Sequence, residues 1–202
     1  MAVRHLVAAT RCDATPKECR MPATAPDATL VLGGARSGKS RTAERLARDL
    51  AGPGGALLYV ATAEALDDEM RARIAAHRAQ RGDGWRTRDV PLEIAAAIAA
   101  EARPGAAVLV DCLTLWLSNL MHAARDVDAE TRRLVDALAA ARGPVVLVAN
   151  EVGLGIVPEN ALARAFRDHA GRVNQAVAAA AGRVVLVAAG LPLTLKGAPL
   201  SA

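Results

Sequence analysis

The chain has 202 residues, of which 52% are hydrophobic and only 2% aromatic, and its formal net charge is +4. That is enough chain for one α/β domain with a core built from Ala, Val, Leu and Ile. The shortage of rings argues against a surface that stacks single-stranded nucleic acid, and the interspersed acids and bases describe a solvated surface rather than a nucleic-acid face.

Residues 1–27 carry Thr, Pro, Ala and scattered charges without periodicity. They read as a disordered tail with no apolar segment suited to a secretory signal, and the domain is expected over 28–202. Cys12, Cys19 and Cys112 are odd in number and share no repeated spacing. They suggest neither a disulfide framework nor a zinc site, so the chain reads as cytoplasmic. No apolar run approaches the ~20 residues of a membrane-spanning helix.

The first predicted strand, 29–32, runs into Gly33-Gly34-Ala35-Arg36-Ser37-Gly38-Lys39-Ser40. This fits the phosphate-binding pattern G-x-x-x-x-G-K-[ST], and a predicted helix over 40–50 follows it, as the motif requires. Glycines let successive backbone N–H groups close around phosphate oxygens, and the helix points its positive end at the same anion. Lys39 would reach the β- and γ-phosphates, and the Ser40 hydroxyl would ligate Mg²⁺. Lys17, Lys39 and Lys196 are the chain's only lysines. An ammonium at position 39 therefore stands out against a strong preference for arginine.

Further strands are predicted over 57–61, 107–110, 145–149 and 184–188. Helices are predicted over 67–80, 91–102, 128–141 and 160–180. Continuous Val- and Leu-rich runs suit parallel strands covered on both faces. The alternation gives a single-domain α/β sandwich, like a P-loop nucleotide hydrolase, with a mostly parallel central sheet and right-handed crossovers. Ligands of such sheets sit at the carboxyl ends of the strands. There the second strand ends in Ala61-Thr62-Ala63, small residues that a nucleotide could approach. The third ends in Asp111. That carboxylate has two readings, a Mg²⁺ ligand or an N-cap for the segment beginning at Cys112. The fourth strand leads into the glycine-rich stretch 150–160, either an ordinary connection or a ligand loop.

The helix over 67–80 is acidic at its start and basic at its end, matching the helix dipole. Spacing alone leaves His77 either beside an apolar stripe or facing the nucleotide amid Arg73, Arg78 and Arg81. In the second case neutral imidazole could act as a covalent nucleophile.

The phosphate loop followed by Arg41, the series Leu66-Asp67-Asp68-Glu69-Met70 with His77-Arg78, Trp85-Arg86-Thr87, and Asn150-Glu151-Val152-Gly153 with Gly155-Ile156-Val157-Pro158 form one set. Arg164, Phe166-Arg167-Asp168 and Gly171-Arg172-Val173-Asn174-Gln175 extend it. Over roughly 29–190 the chain resembles the bifunctional adenosylcobinamide kinase / adenosylcobinamide-phosphate guanylyltransferase family of cobalamin biosynthesis. The resemblance implies that ATP or GTP phosphorylates the terminal hydroxyl of adenosylcobinamide. GTP then places GMP on a histidine, and the cobinamide phosphate takes it to give adenosylcobinamide-GDP. By motif the guanylylated histidine falls on His77. The GTP contacts fall on residues 33–40, on Ala61, Thr62 and Ala63, on Arg78, Ala79, Gln80 and Arg81, and on Asp89 and Asp111. The last two are shorter than the Glu common in the family. Mg²⁺ is implied on Ser40 and Asp111, with Lys39 and His77 as the catalytic pair and Glu151 as a candidate base. A homo-oligomer, commonly a trimer, is also implied. The competing functions are a kinase of another small alcohol and a nucleotide-dependent switch.

Overall fold

The computed structural model of the chain describes residues 25–64 and 68–200. Seven strands form one sheet in the order β3-β2-β4-β5-β1-β6-β7. In chain order they are β1 (Ala25–Gly33), β2 (Ala56–Ala61), β3 (Trp85–Asp89), β4 (Ala106–Asp111), β5 (Val145–Asn150), β6 (Ala181–Ala188) and β7 (Leu191–Lys196). The first six pair in parallel and β7 returns antiparallel along β6. The helices are α1 (Lys39–Ala51), α2 (Asp68–Arg81), α3 (Ile94–Glu101), α4 (Leu113–His122), α5 (Val127–Ala140) and α6 (Ala161–Ala180). This is the expected α/β sandwich. Residues 1–24 of the expected tail lie outside the described residues, and β1 begins at Ala25.

Both sheet faces are covered, so the central strands are apolar at nearly every position. Leu57, Tyr59, Leu109, Val146, Val148 and Val185 pack with α1 on one face. Leu58, Val60, Val108, Val110, Leu147 and Val184 pack with α3 to α6 on the other. The cores are almost wholly aliphatic. The buried aromatic residues are Tyr59 of β2 and Trp116 of α4, and Trp116 donates its indole N–H to the Leu92 carbonyl at 2.8 Å.

Three elements escape a reading by apolar runs. β3 is Trp-Arg-Thr-Arg-Asp, an edge strand with charged side chains in solvent, the way natural sheets blunt an edge. β7 contains Pro192 and is also an edge strand, where a residue without an N–H is tolerated. α4 starts only two residues after β4, so its buried face of Leu113, Trp116, Leu117 and Leu120 has no turn-forming stretch to set it apart from the strand.

Parallel strands bring their carboxyl ends to one edge. Gly33 lies opposite Asn150 on one side and Val187 on the other. Asp111 lies beside Ala61, which lies beside Asp89. Five of the stretches singled out by sequence therefore share the sheet's carboxyl edge.

Candidate active site

The phosphate loop is built around two glycines that a side chain would strain. A Cβ on Gly33 would stand 2.5 Å from Ser37 Oγ and 2.6 Å from the Val187 carbonyl oxygen. Gly38 has φ +94°, in the left-handed region, and caps α1. The turn closes through Ser37 N–H to the Gly34 carbonyl at 3.3 Å and through Gly190 N–H to the Ser37 carbonyl at 2.8 Å. The β6–β7 turn thus buttresses the loop from behind. Arg36 sits at the exposed crest with φ +56°, between exposed Ala35 and buried Ser37. Lys39 Nζ donates to the Gly34 carbonyl at 3.0 Å, folding the ammonium over the loop. Ser40 lies in the first turn of α1, half-buried. N–H groups at that end have no intrahelical partner and point toward where an anion would sit.

Asp111 ends β4, half-buried. Its Oδ2 accepts the Tyr59 hydroxyl at 2.8 Å. The N-cap of α4 is Cys112, with no side-chain cap bond, so the Asp111 carboxylate is not spent on capping. Burial, then the Asp111 charge, then this hydrogen bond raise the Tyr59 phenol far above its ordinary range, so it stays a donor. Thr62 is fully buried, and its Oγ1 donates to the Cys112 carbonyl and accepts from the Cys112 N–H, both at 2.8 Å. Asn119 of α4 bridges the Thr62 and Pro91 carbonyls at 2.8 and 3.0 Å. This knot fixes the strand end that presents Ala61 and Ala63. The Asp111–Cys112 peptide is cis. Burial and the neighbouring Asp111 push the Cys112 thiol up to about 11, which leaves it protonated and unreactive.

Behind Asp111, the Arg81 guanidinium lies 3.5 Å from the centre of the Tyr59 ring, a cation–π contact made in a dry site. Arg81 is only 6% exposed, and its Nε and Nη1 have no hydrogen-bond partner. Arg48 of α1 donates to the Arg81 carbonyl at 2.8 Å and covers Trp85 at 5.4 Å. Glu44 of α1 is half-buried beside this group. Burial raises its carboxyl above the ordinary range, the Arg81 charge opposes the rise, and Asp111 adds to it.

His77, Arg78, Ala79 and Gln80 all fall within α2. The side chains of His77 and Gln80 lie outside the described residues. Arg78 and Asp89, both expected at the nucleotide, pair with each other at 3.1 Å while staying exposed. The stretch 150–160 is anchored at both ends. Asn150 N–H donates to Thr114 Oγ1 at 2.7 Å, and Glu151 N–H reaches the Gly33 carbonyl at 3.2 Å. Asn160 caps α6 through the N–H groups of Leu162 and Ala163. Glu151 Oε1 accepts the Gly153 N–H at 2.6 Å. Between the anchors Leu154 and Ile156 stand in solvent, 88% and 95% exposed.

The donor set suits magnesium. Ser40 and Asp111 offer oxygen only, and among the described residues no group of three or more His, Cys, Asp or Glu side chains could hold a metal by itself. A small hard cation that completes its shell with phosphate oxygens and water needs no more. Sequence reasoning missed Tyr59, Glu44 and Arg48. A signal existed for the first, since Tyr59 is the chain's single tyrosine.

The profile of the family described as cobinamide kinase / cobinamide phosphate guanyltransferase matches residues 29–195. The bifunctional adenosylcobalamin biosynthesis protein CobP of Pseudomonas aeruginosa is 51% identical over 173 residues, covering 85% of this chain and 98% of the relative. Proteins of that description named CobU, from Salmonella typhimurium and Escherichia coli, are 45% and 44% identical over 182 residues. Each alignment covers 83% of this chain and 98% of the relative. With the phosphate loop, Asp111 and the stretch 150–160 at one sheet edge, and with matches that span nearly the whole of each relative, this chain belongs to the cobinamide kinase / cobinamide phosphate guanyltransferase family.

Proposed function

We propose that the chain is a bifunctional enzyme. It phosphorylates adenosylcobinamide with ATP or GTP, then transfers GMP from GTP to the product, giving adenosylcobinamide-GDP on the route to cobalamin. The observation that carries this is family membership across residues 29–195 together with an intact phosphate loop.

Phosphoryl transfer asks a protein mainly for position and for charge opposite the phosphates. The N–H groups of residues 33–40 and Lys39 supply both. Mg²⁺ would be held by Ser40 and Asp111, and when bound it neutralises charge on the phosphate oxygens. The substrate hydroxyl attacks the γ-phosphorus, its proton passes to a base, and the nucleoside diphosphate leaves. Glu151 is the candidate base, since its backbone is tied to Gly33 beside the loop.

In the second reaction an imidazole nitrogen of His77 attacks the α-phosphorus of GTP. The bond to the bridging oxygen breaks, pyrophosphate departs from the loop, and a phosphoramidate remains. A phosphate oxygen of adenosylcobinamide phosphate then attacks that phosphorus and the P–N bond breaks, restoring the histidine. What supports His77 is its place in α2, four residues before Arg81, which packs against the strand carrying Tyr59. In this reading GTP is contacted by residues 33–40, Ala61, Thr62, Ala63, Arg78, Ala79, Gln80, Arg81, Asp89 and Asp111.

We also read the enzyme as a cytoplasmic homo-oligomer, a trimer by the family resemblance. In support, Leu191, Leu193 and Leu195 of the edge strand β7 are largely exposed, and no helix among the described residues is long and apolar enough to cross a membrane.

The test is incubation with magnesium and GTP labelled at the α-phosphate. A covalent, acid-labile, base-stable GMP adduct is expected, and it should vanish in His77→Ala. An adduct that survives this substitution removes His77 from the mechanism.

A further inference from the structure

Tyr59 is the chain's single tyrosine, set in a core that is otherwise almost entirely aliphatic. Packing does not ask for a hydroxyl there, because phenylalanine or leucine would fill the space without burying a polar atom. A buried phenol needs a partner, and this one has Asp111 Oδ2 at 2.8 Å. The bond is cross-strand. Tyr59 lies opposite Leu109 and Asp111 opposite Ala61, so the two side chains share the α1 face of the sheet two residues out of register. Asp111 Oδ1 accepts no hydrogen bond among the described residues. Over the other side of the ring assembly stands Arg81, the last residue of α2, with its guanidinium against the Tyr59 ring and its carbonyl held by Arg48. Trp85 meets the ring edge-on at 6.0 Å between centroids.

We propose that Tyr59 is a positioning residue for the metal-facing carboxylate. Its hydroxyl holds Asp111 by one oxygen and leaves the other for the magnesium–nucleotide complex, while the same ring seats Arg81 and so registers α2 against that carboxylate. This rests on the reading of Asp111 as a magnesium ligand. A carboxylate already fixed at one oxygen loses little rotational freedom when a cation binds the other, so the phenol strengthens metal binding through preorganisation. Asp111 does the ligating and Tyr59 acts through it, as the partners behind metal ligands do elsewhere.

The experiment uses the full chain saturated with α,β-methylene-GTP and without cobinamide, with bound Mn²⁺ measured from the loss of the free-ion EPR signal. Tyr59→Phe keeps the ring, and thus the seats of Arg81 and Trp85, and deletes only the hydroxyl. Mn²⁺ should bind about tenfold more weakly, the scale of a hydrogen bond to a charged group. The metal concentration for half-maximal kinase rate should rise by a similar factor, while the rate at saturating metal changes by less than about twofold. In an Asp111→Ala background the same substitution should weaken Mn²⁺ binding no further, since the group it positions is gone. Wild-type Mn²⁺ affinity in Tyr59→Phe, with Asp111→Ala clearly weakened, overturns the positioning role and leaves the metal assignment standing. An equal loss in both backgrounds also overturns it. Wild-type affinity in Asp111→Ala removes Asp111 as a ligand, and the inference falls with it.

Discussion

At Gly33 a missing side chain decides the local structure. Any Cβ there would press on the Val187 carbonyl oxygen at 2.6 Å, and backbone in the middle of a parallel sheet cannot step aside. Ser37 Oγ, the other close atom, could rotate away, so the cost comes from the carbonyl. Gly33→Ala should therefore destabilise the fold by about 1–3 kcal/mol, as overpacking does, read as a lower midpoint in urea unfolding. It should also open the loop and weaken nucleotide binding. An unchanged midpoint would mean that β1 and β6 can separate locally. At this scale the loop was legible because its constraint is steric and local, and a steric constraint leaves glycines at fixed spacing. The Tyr59–Asp111–Arg81 group was not, because its members lie 22 and 52 positions from Tyr59 and meet only once β2, β4 and α2 are placed. The Arg78–Asp89 ion pair is of the same kind.

Among the elements, β3 shows how an edge strand is held when it has little apolar surface to offer. Arg86 of β3 donates to Glu101 at the end of α3 at 2.6 Å, and Arg88 stands 3.8 Å from the same carboxylate. The hydrogen bond from Arg86, opposed by burial and helped by the charges of Arg86, Arg103 and Arg88, lowers the Glu101 carboxyl below its ordinary value of 4.5. A carboxyl depressed in the folded state contributes stability above the unfolded value, and that stability drains away as pH falls through the folded one. Urea midpoints of the native chain should thus decline faster than those of Glu101→Gln as pH is lowered from 5 toward 3. Once pH is below the depressed folded value and Glu101 is protonated, the two should converge. The pair is partly solvated, so the effect should shrink in 0.5 M salt. Parallel curves at every pH would show that the arginines do not hold this carboxylate. β3 itself was invisible to a search for apolar runs, since Trp-Arg-Thr-Arg-Asp has one apolar residue in five. Its presence follows from pairing with β2, a non-local fact.

For the molecule as a whole, the alternation of apolar runs with amphipathic segments was enough to give five of the strands, five of the helices and the layer architecture. The strand order was not legible, because it depends on which strands neighbour each other across the sheet. It is that order, with β1 between β5 and β6 and β4 beside β5, that puts the phosphate loop next to the stretch 150–160 and near Asp111. One consequence reaches both reactions. In the proposed mechanism the γ-phosphoryl donor and the departing pyrophosphate use the same cradle, the phosphate loop at this sheet edge. Lys39→Ala should therefore lower kinase turnover and formation of the GMP adduct together, each by about a hundredfold or more, the usual loss when a charge that stabilises the transition state is removed. His77→Ala should abolish the adduct yet leave phosphorylation of adenosylcobinamide within about twofold of the native rate, because imidazole touches only the α-phosphorus step. Both rates can be followed on one preparation, with γ-labelled ATP for the kinase and α-labelled GTP for the adduct. If Lys39→Ala stops phosphorylation but still forms the adduct at the native rate, the two transfers do not share a triphosphate site. A second nucleotide pocket would then have to be sought away from the sheet's carboxyl edge.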